Sequence, residues 1–270
     1  MEKIYLNIAG FNFLLILKDI QQKYYQEEFK KMILNKYPNF IVRSNSKIDF
    51  KLIADYKGSV DIHVSQNEDK VKRVFTNDYS IDEARKRANV NYTVSQLQFD
   101  MIIREIIDKY LFEKDKGFYL HGSAVGNKKE AFLFLGKSGA GKSTTAQLLG
   151  GLCKVLSDDF LIVRKNKKGF SYYQSISYEK NWDFERTNDP YQISKVFFVK
   201  KAKEFSLKKI ENKDKVLSMI MKQFFTYDLK PEAQFSLLTE FVNKTEFYYI
   251  YVKKDEKLFK DFFRKEILKI

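Results

Sequence analysis

The segment Gly136-Lys137-Ser138-Gly139-Ala140-Gly141-Lys142-Ser143 constrains this chain more than any other stretch of it. It follows an apolar run, Ala131–Leu135, and leads into Ser143–Leu149, which reads as a helix stopped by Gly150-Gly151. A strand, then Gly-x-x-x-x-Gly-Lys-Ser, then a helix is the context in which this pattern cradles phosphate. Glycines at 136, 139 and 141 permit torsions that other residues resist. They let successive N–H groups converge on phosphate oxygens, and the helix start beyond adds positive potential. In this reading Lys142 reaches the β- and γ-phosphates of ATP, the Ser143 hydroxyl ligates Mg²⁺ and Thr144 meets the α-phosphate.

Asp158 and Asp159 form the second element. They follow the short apolar strand Lys154–Ser157, and Asp158 comes 16 positions after Lys142, one helix and one strand away. That length fits a right-handed crossover returning beside the first strand, with both carboxylates at the phosphate end of the sheet. One can hold Mg²⁺ while the other accepts a hydroxyl proton. His121, in Tyr119-Leu120-His121-Gly122-Ser123-Ala124, is one of two histidines and precedes the loop by one strand. Antiparallel neighbours would bring it to the aspartate pair, where it would tune or orient a carboxylate. His63 lacks such company and reads as structural.

The net charge is +14, and it raises the question of nucleic acid. Of 49 basic residues only 8 are arginine, and the lysines are spread along the chain. Specific nucleic-acid readers lean on arginine and stacking surfaces, so a solvated lysine-rich exterior is the better reading. Hydrophobic residues make up 44% of the chain, enough for a substantial core. The single cysteine, Cys153, excludes an internal disulfide and fits a reducing cytoplasm. No secretory signal is legible at the start, and the apolar run Phe11–Leu17 is too short to span a membrane.

The first ninety residues read mainly as strands. Ile4–Ala9 and Phe11–Leu17 flank Gly10 as a hairpin, Gln21–Leu34 suits a helix, and Ile48–Ala54 and Val60–Val64 flank a turn. From Thr93 the spacing of Leu97, Met101, Ile102, Ile106 and Leu111 becomes helical. These changes divide the chain into a β-rich domain, 1–92, and a domain 93–270 carrying the loop. In the second, Phe118–Val125 reads as one strand and Phe160–Arg164 with Phe170–Tyr173 as a hairpin. Ile193–Val199 and Phe247–Val252 read as strands, and Asp214–Phe225 and Pro231–Asn243 as helices. An amphipathic helix closes the chain.

Together, His-Gly one strand before the loop, Gly-Lys-Ser-Gly-Ala-Gly-Lys-Ser-Thr, and the close-following Leu-Ser-Asp-Asp resemble the HPr kinase/phosphorylase superfamily. The resemblance covers Thr93 to about Tyr173 well and the remainder more loosely. It implies an α/β fold, a P-loop core shared with phosphoenolpyruvate carboxykinase, with Asp158 as base toward the acceptor hydroxyl. It further implies metal roles for Ser143 and Asp159, and His121 beside the first aspartate. The chain departs from HPr kinases in lacking a Glu-x-Arg-Gly signature and in carrying Thr144 where glutamate is usual. It is closer to the HPr-kinase-like enzymes that phosphorylate a serine on a ribosomally made peptide, lasso-peptide tailoring kinases among them. Ser175-Ile176-Ser177-Tyr178-Glu179-Lys180 is similar to a stretch of that group, which makes Lys180 a candidate for phosphate or acceptor contact.

The expectation is an ATP- and Mg²⁺-dependent kinase acting on a peptide or protein serine, without membrane or nucleic-acid partners and with homo-oligomerisation left open. A kinase of a small-molecule hydroxyl is the alternative. An ATP-dependent regulatory or nucleic-acid-binding module is the third reading, and it lacks the distant acidic motif that such modules use.

Overall fold

Ala9 and Gly10, at φ 52° and 75°, turn the chain within two residues, the left-handed pair that a tight antiparallel hairpin requires. The turn joins β1 (Glu2–Ile8) to β2 (Phe11–Leu17), with Ile8 opposite Phe11. The structure is a computed structural model that describes residues 2–18, 23–43, 47–55, 79–82, 87–91, 96–113, 116–176, 186–225 and 235–270. Val60–Val64, His63 and Lys180 lie outside the described residues.

The chain divides into two units, Met1–Ile103 and Arg104–Ile270. In the first, α1 (Lys23–Lys36) is followed by β3 (Phe50–Asp55), β4 (Tyr79–Asp82) and β5 (Arg87–Asn91). The sheet order is β1-β2-β3-β5-β4, with β3 parallel to both β2 and β5. Leu6, Phe13, Leu15, Ile33, Leu52 and Phe99 fill its core, and the Tyr37 hydroxyl donates to the buried Asp100 carboxylate. The division between the units falls inside α2 (Gln96–Glu113).

The second unit begins with three strands, β6 (Gly117–His121), β7 (Ser123–Asn127) and β8 (Glu130–Leu135). α3 (Lys142–Leu148), β9 (Lys154–Ser157), β10 (Phe160–Asn166) and β11 (Gly169–Gln174) come next. They are followed by β12 (Tyr191–Lys201), β13 (Ser206–Lys209), α4 (Lys213–Met221) and β14 (Phe224–Phe225). α5 (Phe235–Lys244), β15 (Glu246–Val252) and α6 (Glu256–Phe263) complete it. The sheet runs β14-β6-β10-β11-β12-β8-β7-β9, with β15 on β12 and β13 on β15.

The strands at its centre are buried on both faces, which is why they read in the sequence as unbroken apolar runs. Leu133 and Leu135 of β8 join the core under α4 and α5, with Val216, Ile220, Leu238 and Phe241. Phe132 and Phe134 join the core under α3 and α6, with Ala146, Phe259 and Phe263. Phe134 stacks on Phe197 of the neighbouring β12 at 5.4 Å. The mixed α/β class expected from the sequence is observed, with a β-rich first unit.

Three local expectations are corrected. Phe118–Val125 is not one strand: the strand is interrupted at Gly122, and β6 and β7 take different places in the sheet. The helix from Asp214 does not reach Phe225. It stops at Met221, and the aromatic pair Phe224-Phe225 instead covers the edge of β6, opposite Leu120 and Tyr119. An edge left open would expose unpaired backbone groups, and aromatic residues suit a half-buried strand. Finally, β9 does not return beside β8; β7 lies between them, antiparallel to both.

Candidate active site

The apolar strand β8 ends at Leu135 and the chain enters the glycine-rich loop, where Gly136, Gly139 and Gly141 take φ of 144°, 75° and 100°. Such torsions strain any residue with a Cβ, so the loop's path needs glycine at these points. The loop closes on itself through Ala140 N–H to Lys137 O, 3.1 Å, and Thr145 N–H to Gly141 O, 2.8 Å. Ser143 and Thr144 open α3, both half-buried, whereas Lys137 and Ser138 are exposed. Lys142 turns inward. It is buried, and its ammonium donates to Gly136 O at 2.9 Å.

Burial holds the Lys142 pKa below the ordinary lysine value, while the charges of Asp158 and Asp159 pull it upward. The lysine of the loop and both aspartates therefore share one electrostatic environment, although Asp158 and Asp159 follow a strand that is not the loop strand's neighbour.

The reason is a two-stranded ribbon. Residues 117–127 run antiparallel to residues 154–166, with His121 opposite Phe160 and Ala124 opposite Ser157. Continued inward from both sides, that register sets Ser123 opposite Asp158 and Gly122 opposite Asp159. The Gly122 N–H donates to Asp159 O at 3.1 Å. Across the ribbon the Ser123 hydroxyl donates to Asp158 Oδ1 at 2.9 Å. His121 Nδ1 lies 2.8 Å from Asp159 Oδ1. The His121 and Asp159 side chains are 42% and 48% exposed, so this pair orients a carboxylate more than it stabilises the fold.

His121 was expected beside the first aspartate, and the register corrects this: it faces the second, and Ser123 holds the first. Ser123 is the residue that sequence reasoning missed. The available signal was its place two residues beyond His121 on a chain running antiparallel to Asp158-Asp159. Gly122 makes the crossing possible. A Cβ there would meet Phe134 O at 2.7 Å and the ends of Leu135 and Leu161 at 2.6 and 2.8 Å.

Other bonds fix the aspartates from behind. The Ser157 hydroxyl donates to Phe160 O at 3.0 Å, closing the turn that carries them. Leu156 O, one residue further back, accepts from the Tyr172 hydroxyl and from Gln174 Nε2. Chemically, the site combines an inward ammonium, a loop with exposed backbone, two oriented carboxylates, and hydroxyls at Ser123 and Ser143. Among the described residues no group of three or more His, Cys, Asp or Glu stands ready to hold a metal alone.

No family model matches this sequence, and no curated protein does. Among solved structures, the chain is similar to the HPr(Ser) kinase/phosphatase from Coxiella burnetii, with a TM-score of 0.34 and 10% identity. The aligned region covers 56% of this chain and 97% of that one. A likeness so distant places the chain in no family. Among the described residues no helix is long and apolar enough to cross a membrane.

Proposed function

We propose that the second unit is an ATP- and Mg²⁺-dependent kinase that transfers the γ-phosphoryl group to a serine hydroxyl of a peptide or protein. The observation that carries this reading is the shared field of Lys142, Asp158 and Asp159. It joins a triphosphate cradle to carboxylates suited to proton removal.

The loop N–H groups hold the triphosphate in line, and Lys142 moves from the Gly136 carbonyl onto phosphate oxygens. The acceptor oxygen bonds to the γ-phosphorus as the bond to the β–γ bridging oxygen breaks, and ADP leaves with that oxygen. The acceptor proton passes to Asp158, whose carboxylate Ser123 aims from across the ribbon. His121 Nδ1 lies against Oδ1 of Asp159 and orients that carboxylate.

Ser143 and Asp159 fit Mg²⁺. They are hard oxygen donors, and a small number of protein ligands suits an ion that keeps several waters and binds through substrate phosphates. When bound, Mg²⁺ supplies charge neutralisation on the transferred group. The test is incubation with radiolabelled ATP and candidate precursor peptides, with the phosphate located by mass spectrometry. Serine-bound label is expected; label on small metabolites alone would remove the peptide reading.

A further inference from the structure

Beside the first half of the loop lies a cleft of about 540 Å³. Four lysines line it, Lys137, Lys200, Lys201 and Lys222, together with Tyr249 and Met219; among the described residues no carboxylate does. Four ammonium groups around one cavity repel one another and focus a positive field into it. The net charge of +14 does not by itself explain this, because the chain also carries 35 acidic residues and none of those among the described residues lines this cavity.

The cations stand on ordered elements. Lys200 and Lys201 end β12, where they pair with Tyr251 and Val252 of β15, and Lys222 caps the C-terminus of α4. Tyr249 is held in place by its hydroxyl, which donates to Met219 Sδ at 3.4 Å. The Lys200 and Lys215 ammonium groups lie 5.6 and 5.4 Å from its ring centroid. Lys201 also reaches the loop, since a Cβ on Gly141 would meet its Cε at 3.9 Å.

We propose that this cleft binds a carboxylate or phosphate carried next to the acceptor hydroxyl, so that the acceptor is anionic. The proposal rests on the loop as donor site, and the cleft's position separates acceptor from nucleotide. Its lining includes Gly136, Lys137, Gly139 and Ala140 but neither Ser143 nor Thr144. The α-phosphate and base extend from the Ser143–Thr144 end, which leaves the cleft at the γ-phosphoryl end, where the acceptor enters. Its wall is also tied to the proton-handling strand, because Gln223 O accepts from the His121 N–H at 2.8 Å.

The experiment measures binding to the MgATP-analogue-loaded protein by fluorescence anisotropy at low salt. Two labelled peptides serve as probes: a serine flanked by two glutamates on each side, and the same serine flanked by glutamines. Glycerol 3-phosphate competes as a small anion. The acidic peptide should bind about tenfold more tightly than the neutral one, with the difference shrinking as salt rises. K200E and K222E should each erase that preference. K167E, which makes the same change of charge in the far turn between β10 and β11, should keep it. Displacement by glycerol 3-phosphate at concentrations where neutral glycerol fails supports the same anion site for a small acceptor. Equal binding of the two peptides, or equal loss in K222E and K167E, would overturn the proposal. Failure of the wild-type protein to bind the nucleotide is a separate result, and it would remove the donor-site reading instead.

Discussion

Ser123 and Asp158 stand opposite each other across the β6–β7 and β9–β10 ribbon, and the Ser123 hydroxyl donates to Asp158 Oδ1 at 2.9 Å. The Ser123 hydroxyl thus helps set the direction of the carboxylate assigned to remove the acceptor proton. Ser123→Ala should lower kcat about tenfold with little change in KM for ATP, the pattern of a lost transition-state interaction. Steady-state kinetics check this; a rise in KM with unchanged kcat would contradict it.

The two aspartates should fail differently. Asp158→Asn should reduce transfer by about 10²–10⁴-fold, the range of a lost general base, while nucleotide still binds. Asp159→Asn should chiefly raise the Mg²⁺ concentration needed for half-maximal rate. Titrating the rate with Mg²⁺ in both variants separates the roles, and equal Mg²⁺ dependence would merge them.

Lys142 is buried against its own loop and donates to Gly136 O. Lys142→Ala should abolish nucleotide turnover, measured as ADP release. Asp158 and Asp159 both raise the pKa of this lysine against the effect of burial. Neutralising either one should therefore lower it further, which NMR titration of the lysine side chain would register.

Gly122→Ala should destabilise the second unit by about 1–3 kcal/mol, the usual cost of overpacking a close-fitted site. The added methyl would meet a backbone oxygen, Phe134 O, at 2.7 Å, and backbone yields less readily than a side-chain end. Thermal denaturation of the variant measures the loss.

Asp108 is nearly fully buried, and burial raises its carboxyl pKa from 3.8 to about 7. Between those values the folded chain keeps a proton that the unfolded chain has released, so stability falls as pH rises from about 4 to about 7 and then levels. At pH 8 the ionised group costs on the order of 4 kcal/mol. Asp108→Asn removes the titration. The variant should gain stability over the wild type at pH 8 and much less at pH 5, as urea unfolding at the two values would show. Parallel pH profiles for the two proteins would exclude this role for Asp108.

The loop and the Asp158-Asp159 pair were legible because their chemistry is local: glycines at fixed offsets, a lysine, a strand before and a helix after. The strands β8, β12 and β15 were legible because burial on both faces leaves an apolar run. The interruption at Gly122 was not, since nothing beside Gly122 in the sequence marks it; the close approach there comes from Phe134, Leu135 and Leu161 packed against it. The insertion of β7 between β8 and β9 depends on pairings that no periodicity reports. The end of α4 at Met221 depends on the open edge of β6, which attracts Phe224 and Phe225. The lysine cleft gathers residues 137, 200, 201 and 222 from distant parts of the chain, where they read as scattered surface charge.

The strand that delivers the loop also has a consequence for when the site comes into being. β8 is flanked by β7, made just before it, and by β12, residues 191–201, made much later. Until β12 docks, one side of β8 lacks its ladder, and Phe134 lacks the Phe197 ring it stacks on. Non-local parallel pairing of this kind forms slowly, because the long intervening segment must be closed first. On a ribosome the loop therefore emerges early as sequence and late as structure, and a nascent chain halted before Tyr191 should hold no nucleotide.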